Sequence, residues 1–107
     1  SNLSIDQGAD YSAEVVVEDA AGNVANLTGY TVAGQIRKSY TSSTAINFGA
    51  TVSNATAGEI TITLANSVTN GMKAGRYVYD VEITKTSSGE KTRVIEGQVT
   101  VTPGVTQ

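Results

Sequence analysis

The chain has no cysteine, no histidine and no tryptophan, and only one proline, one phenylalanine and one methionine. Without cysteine there is neither a disulfide framework nor a thiolate zinc site. Without histidine the commonest general base and the commonest transition-metal ligand are both missing, and a Ser-His-Asp triad cannot be assembled. Positive charge is scarce too: seven Lys and Arg stand against ten Asp and Glu, a net charge of −3. A nucleic-acid binder needs a basic face to displace counterions, so no nucleic-acid partner is expected. No apolar run approaches the ~20 residues of a membrane-spanning helix, and no charged-then-apolar leader opens the chain. No membrane partner is expected either. The opening Ser1-Asn2 fits a start left by removal of an initiator Met, or an artificial boundary.

What is present is Thr, Ser, Gly and Val in quantity, a mixture that suits short pleated strands joined by tight turns. At 107 residues the chain has the size of one domain, residues 1–107, with no internal repeat and no linker. Apolar residues alternate with period two, and no helical period sustains itself. Leu3, Ile5 and Gln7 begin a first short strand. Tyr11, Ala13, Val15 and Val17 share a face of the next, and Asp19-Ala20-Ala21-Gly22-Asn23 is a turn. Val24–Leu27 is a short extended piece. Thr31–Lys38 puts Val32, Gly34 and Ile36 on one side. Ser39–Asn47 reads as a polar loop, Phe48, Ala50 and Val52 as a strand, and Ser53–Gly58 as a turn. Glu59–Leu64 buries Ile60, Ile62 and Leu64.

Asn66 or Ser67 is placed to cap a single helical turn ending near Asn70-Gly71. Arg76–Thr84 is the strongest strand, with Tyr77, Tyr79, Val81 and Ile83 inward. Ser87-Ser88-Gly89-Glu90 is a hairpin turn. Lys91–Thr102 closes the pattern with Arg93, Ile95, Gly97, Val99 and Val101 on one side, and Pro103 ends it because it has no N–H for a ladder. Seven to eight strands at this spacing predict an all-β fold, a two-sheet antiparallel β-sandwich. Gly75-Arg76-Tyr77 opens a long strand just after a helical turn, the place where immunoglobulin-like domains put a tyrosine corner. Two inward aromatics of an ordinary β core would read the same way.

Candidate chemistry is thin. Most of the ten acids alternate with apolar residues and so belong to solvated faces. Asp80 and Glu82 are neighbours on one face, with Glu96 across from them, but Arg93 and Lys91 give a simpler account than acid–base catalysis. No strand–turn–helix elbow presents a serine to a lysine. Asp19–Asn23 has too few carboxylates for calcium. No catalytic residue, no metal ligand and no cofactor is expected. Asn26-Leu27-Thr28 and Asn54-Ala55-Thr56 match glycosylation acceptors, read here as chance. A sugar platform would need exposed aromatics, for which Tyr30 and Tyr40 are the candidates. Arg37 and Lys38 lead into the polar loop Ser39-Tyr40-Thr41-Ser42-Ser43-Thr44, a candidate contact with a neighbouring subunit or simply a solvated loop.

Five stretches carry a family resemblance: Asp6-Gln7-Gly8-Ala9-Asp10, Leu27-Thr28-Gly29-Tyr30-Thr31-Val32, Gly34-Gln35-Ile36-Arg37-Lys38, Lys73 to Val81, and Val94 to Thr106. Together they resemble small immunoglobulin-like virion proteins of tailed bacteriophages, including phages of aquatic bacteria. They are also similar to the N-terminal sandwich domain of phage baseplate upper proteins. The resemblance implies a non-enzymatic virion component present in many copies. It would be bound to a capsid, neck, tail or baseplate as decoration or structural protein, as a symmetric homo-oligomer with other virion proteins as partners. It would be assembled in the bacterial host cytoplasm, where a cysteine-free sandwich can fold under reducing conditions. The terminal segments 1–7 and 103–107 look polar and weakly anchored, and are expected to reach a neighbour by strand addition. The interaction candidates are therefore Leu3, Ile5, Arg37, Lys38, Tyr40 and Val105. The alternative reading is a glycan- or host-surface-binding module that aids attachment.

Overall fold

In the computed structural model, which describes residues 2–104, eight strands and one helical turn follow one another. They are β1 (Leu3–Asp6), β2 (Tyr11–Val16), β3 (Tyr30–Arg37), β4 (Ile46–Asn47), β5 (Gly49–Asn54), β6 (Glu59–Leu64), α1 (Asn66–Thr69), β7 (Gly75–Lys85) and β8 (Lys91–Thr102). One sheet has the order β1-β8-β7-β3-β4 and the other the order β2-β6-β5. The two pack face to face, and the period-two alternation supplies the core between them. Ile60, Ile62 and Leu64 come from β6, Tyr77, Tyr79, Val81 and Ile83 from β7, and Val99 and Val101 from β8. Burying one such side chain is worth about 1.5–3 kcal/mol, so this shared layer supplies the main favourable term of folding.

The chain changes sheets at Phe48. Asn47 still pairs with Gln35 of β3, whereas Gly49 already pairs with Thr63 of β6. At the crossing the Phe48 N–H donates to the Gly34 carbonyl at 2.9 Å. Its ring is buried and meets Tyr79 edge to face, with centroids 6.1 Å apart and planes at 84°. Such a pair adds about 0.5–1.5 kcal/mol beyond its area. Gly34 makes the contact fit: a Cβ there would sit 3.0 Å from the Phe48 ring and 3.2 Å from the Asp80 carbonyl. The polar loop read over Ser39–Asn47 thus ends in the short strand β4, whose two residues offer too little alternation to read.

Three other sequence expectations are corrected. First, β1 is not a weakly anchored arm. It pairs in parallel with β8, from Leu3 opposite Val99 to Asp6 opposite Thr102, while the other ladders are antiparallel. Ile5 is fully buried and Leu3 packs half-buried against the core. Second, β8 is bulged: Ile95 pairs with Val81 but Arg93 with Glu82, which leaves Val94 extra. The extra residue inverts the alternation, so Arg93 joins Asp80 on the outer face instead of lying with Ile95. Third, neither Asn66 nor Ser67 caps α1. Ala65 is the N-cap and offers no side-chain bond. The carboxylate of Asp10, 56 residues away, accepts from the Asn66 N–H at 2.7 Å instead.

Candidate functional site

The corner predicted at Gly75-Arg76-Tyr77 is formed. The Tyr77 hydroxyl donates to the Lys73 carbonyl at 2.7 Å. The bond ties the loop after α1 to the start of β7 and gives the buried phenol a partner, which a tyrosine in a core needs. Gly75 (φ +137°) makes the bend into the strand. Lys38, arriving from β3, lays its ammonium 4.5 Å from the centre of the same ring. Both cations of the basic pair are therefore engaged within the fold, although Lys38 remains exposed. Arg37 donates from Nη1 to the Ser42 carbonyl at 2.6 Å and from Nη2 to Gln35 Oε1 at 3.1 Å. Gln35 in turn donates from Nε2 to Asn47 Oδ1 at 2.9 Å. This relay joins β3, β4 and the loop between them.

The result is a braced loop with a free tip. Ser42 N–H donates to the Ser39 carbonyl, and the Ser39 and Thr41 hydroxyls lie 3.3 Å apart. Tyr40 at the tip is 60% exposed, the largest fraction among the exposed large hydrophobic residues of the described chain. Of the six interaction candidates, Arg37, Lys38 and Tyr40 come together here, with the two cations as braces and Tyr40 as the surface. Leu3 and Ile5 lie on β1, at the opposite edge of the five-stranded sheet. Val105 lies outside the described residues.

The Asp80 neighbourhood is an ion-pair triad. Arg93 Nε donates to Asp80 at 3.1 Å and Arg93 Nη1 to Glu96 at 3.4 Å, all on the solvated face. Next to it a shallow depression of ≈ 270 Å³ is lined by Ala33, Gly34, Gln35, Asn47, Asp80, Glu82 and Lys91. Its carboxylates face solvent and cations, which is a surface arrangement worth at most about 1 kcal/mol per pair. No group of three or more His, Cys, Asp or Glu that could hold a metal occurs among the described residues. Asp19 spends its Oδ1 on the Ala21 and Asn23 N–H groups at 2.9 and 3.0 Å, forming an Asx turn. Asn26 and Asn54 likewise accept from backbone N–H groups of their own turns.

The aromatic platform does not form. Tyr30 opens β3 and packs against the core, while Tyr40 lies beyond the other end of the same strand. Eight extended residues separate them by more than about 20 Å. No helix among the described residues is long and apolar enough to cross a membrane.

Sequence reasoning missed two positioning residues. Asp10 caps α1 from a distance, and Gln7 brackets the chain ends, donating from Nε2 to the Met72 carbonyl at 2.8 Å and accepting from the Gly104 N–H at 3.1 Å. Both partners are remote in sequence, so no local pattern could have announced them.

No protein-family profile and no curated protein matches this sequence. Solved structures do. One, described as the three-dimensional structure of NK cell receptor Nkp44, a triggering partner in natural cytotoxicity, superposes with a TM-score of 0.50. It covers 94% of this chain and 96% of its own at 12% sequence identity. A likeness at that identity speaks of architecture alone: with its two sheets and its tyrosine corner, this chain folds as an immunoglobulin-like β-sandwich.

Proposed function

We propose that this domain is a non-enzymatic structural component of a tailed-phage particle, working through subunit contacts on a capsid, neck, tail or baseplate. The sequence stretches from Asp6 to Thr106 that resemble small virion proteins support the reading. The observation that carries it is the Tyr40 loop. An exposed aromatic held on an internally braced loop loses little conformational freedom on binding, which is what a repeated protein contact needs. Aromatic residues are also the side chains that most often anchor such contacts.

The test is sedimentation of the purified chain with emptied capsids and, separately, with tails of the phage that encodes it. Saturable binding to one of them, reduced at least roughly tenfold by Tyr40→Ala, is the expected result; a tenfold loss corresponds to about 1.4 kcal/mol. Binding to neither particle fraction sinks the proposal. Binding to host cells instead moves the role to attachment.

A further inference from the structure

The two ends of the described chain are joined side by side yet leave in opposite directions. β1 and β8 run parallel, with Leu3, Ser4, Ile5 and Asp6 opposite Val99, Thr100, Val101 and Thr102. The chain therefore comes in at the Leu3–Val99 end and goes out at the Asp6–Thr102 end. Asn2 holds the first end, its Oδ1 accepting from the Gln98 N–H at 3.3 Å. The second end is tied more closely. Thr102 donates its hydroxyl to Asp6 Oδ1 at 2.7 Å, and the Gln7 N–H donates to the Thr102 carbonyl at 2.9 Å. Gln7 then accepts from the Gly104 N–H. Ile5, Val99 and Val101 are buried beneath this ladder and anchor both strands to the core.

We propose that the domain carries tension along its length, with the β1–β8 pair as the element that resists it. This rests on topology alone and does not depend on the partner proposed above. Pull the chain at its two ends, and β1 is drawn backward while β8 is drawn forward. The load lies along the strands and across their hydrogen bonds, so the bonds share it and must fail together. In an antiparallel hairpin pulled from its open end, the bonds face the load one at a time. A module held at both ends, between two particle components or in a string of modules, would thus resist extension without a covalent crosslink.

The chain's lack of cysteine makes the experiment direct, because introduced thiols are unique attachment points. Single-molecule pulling compares two geometries of the full chain. In the first, handles are fixed at the two termini. In the second, they are fixed at Lys73→Cys and at the C-terminus. Gly75 pairs with Val101, so the second geometry peels β7 from β8 bond by bond. Forced unfolding reads the barrier to rupture, and a terminal-pull force roughly twofold or more above the peeling force at equal loading rate is expected. Thr102→Val, which removes the hydroxyl tie to Asp6, should lower the terminal force. Equal forces in the two geometries, or a Thr102→Val variant whose terminal force is unchanged, would overturn the proposal. If Thr102→Val does not fold, the comparison of geometries on the unaltered chain still decides.

Discussion

The hydroxyl of Tyr77 reaches back four residues to the carbonyl of Lys73, at 2.7 Å, while its ring carries the ammonium of Lys38 4.5 Å away. One side chain thus links the loop after α1, the start of β7 and the end of β3. Tyr77→Phe keeps the ring and removes only the hydroxyl bond. Its expected cost is about 1–2 kcal/mol. For a domain of this size each kcal/mol lowers Tm by about 4–8 °C. Thermal or urea unfolding of the variant beside the parent measures it, and an unchanged midpoint would refute a structural role for the corner.

Two glycines with similar backbone angles should respond differently to alanine. Gly22 (φ +85°) has nothing within 4 Å of an added Cβ. Gly58 (φ +67°) would place one 2.8 Å from the Val17 carbonyl oxygen and 2.9 Å from that of Ala25. Gly22→Ala carries only the left-handed penalty of about 1–2 kcal/mol. Gly58→Ala must also displace two backbone groups, one of which holds the turn between β2 and β3. Denaturant midpoints should therefore fall further for Gly58→Ala, and equal midpoints would contradict the close approach.

Phe48 closes the core at the sheet crossing, and its loss cannot be absorbed by a short, constrained segment. Phe48→Ala is expected to cost about 3–5 kcal/mol, a large part of a small domain's stability. Phe48→Leu should recover much of that while losing the edge contact with Tyr79. A urea titration of both variants gives the ranking, and two equally mild effects would show that the crossing repacks.

Burial raises the pKa of Tyr11 above its ordinary value of 10.0. The folded state therefore holds the phenolic proton more tightly than the unfolded state. Its contribution is fully present below pH 10 or so and is lost as the pH climbs from the unfolded value through the raised folded one. Tyr11→Phe should flatten this alkaline decline and leave stability near neutrality little changed. Chemical denaturation from pH 8 to 11 of parent and variant compares the slopes; parallel slopes would remove Tyr11 as the cause.

Tyr40→Ala should leave folding stability within about ±0.5 kcal/mol, because the exposed ring supports no packing. A loss of particle binding in that variant therefore cannot be assigned to unfolding. A marked drop in its Tm would show that the loop is part of the scaffold.

Where alternation ran undisturbed, residues announced their places. Ile60, Ile62 and Leu64 read inward and are inward, as do Tyr77, Tyr79, Val81 and Ile83. The corner at Tyr77 was legible because glycine and tyrosine spacing after a helical turn is a local signal. Features set by partners far along the chain were not. The bulge at Val94 shows only against β7, the crossing at Phe48 only against two different sheets, and the cap on α1 only once Asp10 is folded next to it. The first segment misled for the same reason. Leu3 and Ile5 look like a weak, short pattern until Val99 and Val101 stand beside and beneath them. In the site region, Tyr40 was legible as a loop aromatic. The engagement of Arg37 with Ser42 and of Lys38 with Tyr77 was not, since charge in a sequence says nothing about which carbonyl or ring will claim it.

The pairing of first strand with last also has a bearing on synthesis. Asp6 meets Thr102 across 96 residues of sequence, so β1 must wait, unpaired, until Thr102 has left the ribosome. Earlier hairpins can form as they emerge, but the five-stranded sheet cannot close in step with translation. Closing such a long loop late makes this a slow-folding topology, with times of milliseconds to seconds rather than microseconds. During that interval Leu3 and Ile5 remain apolar surface open to a chaperone or to a second nascent copy.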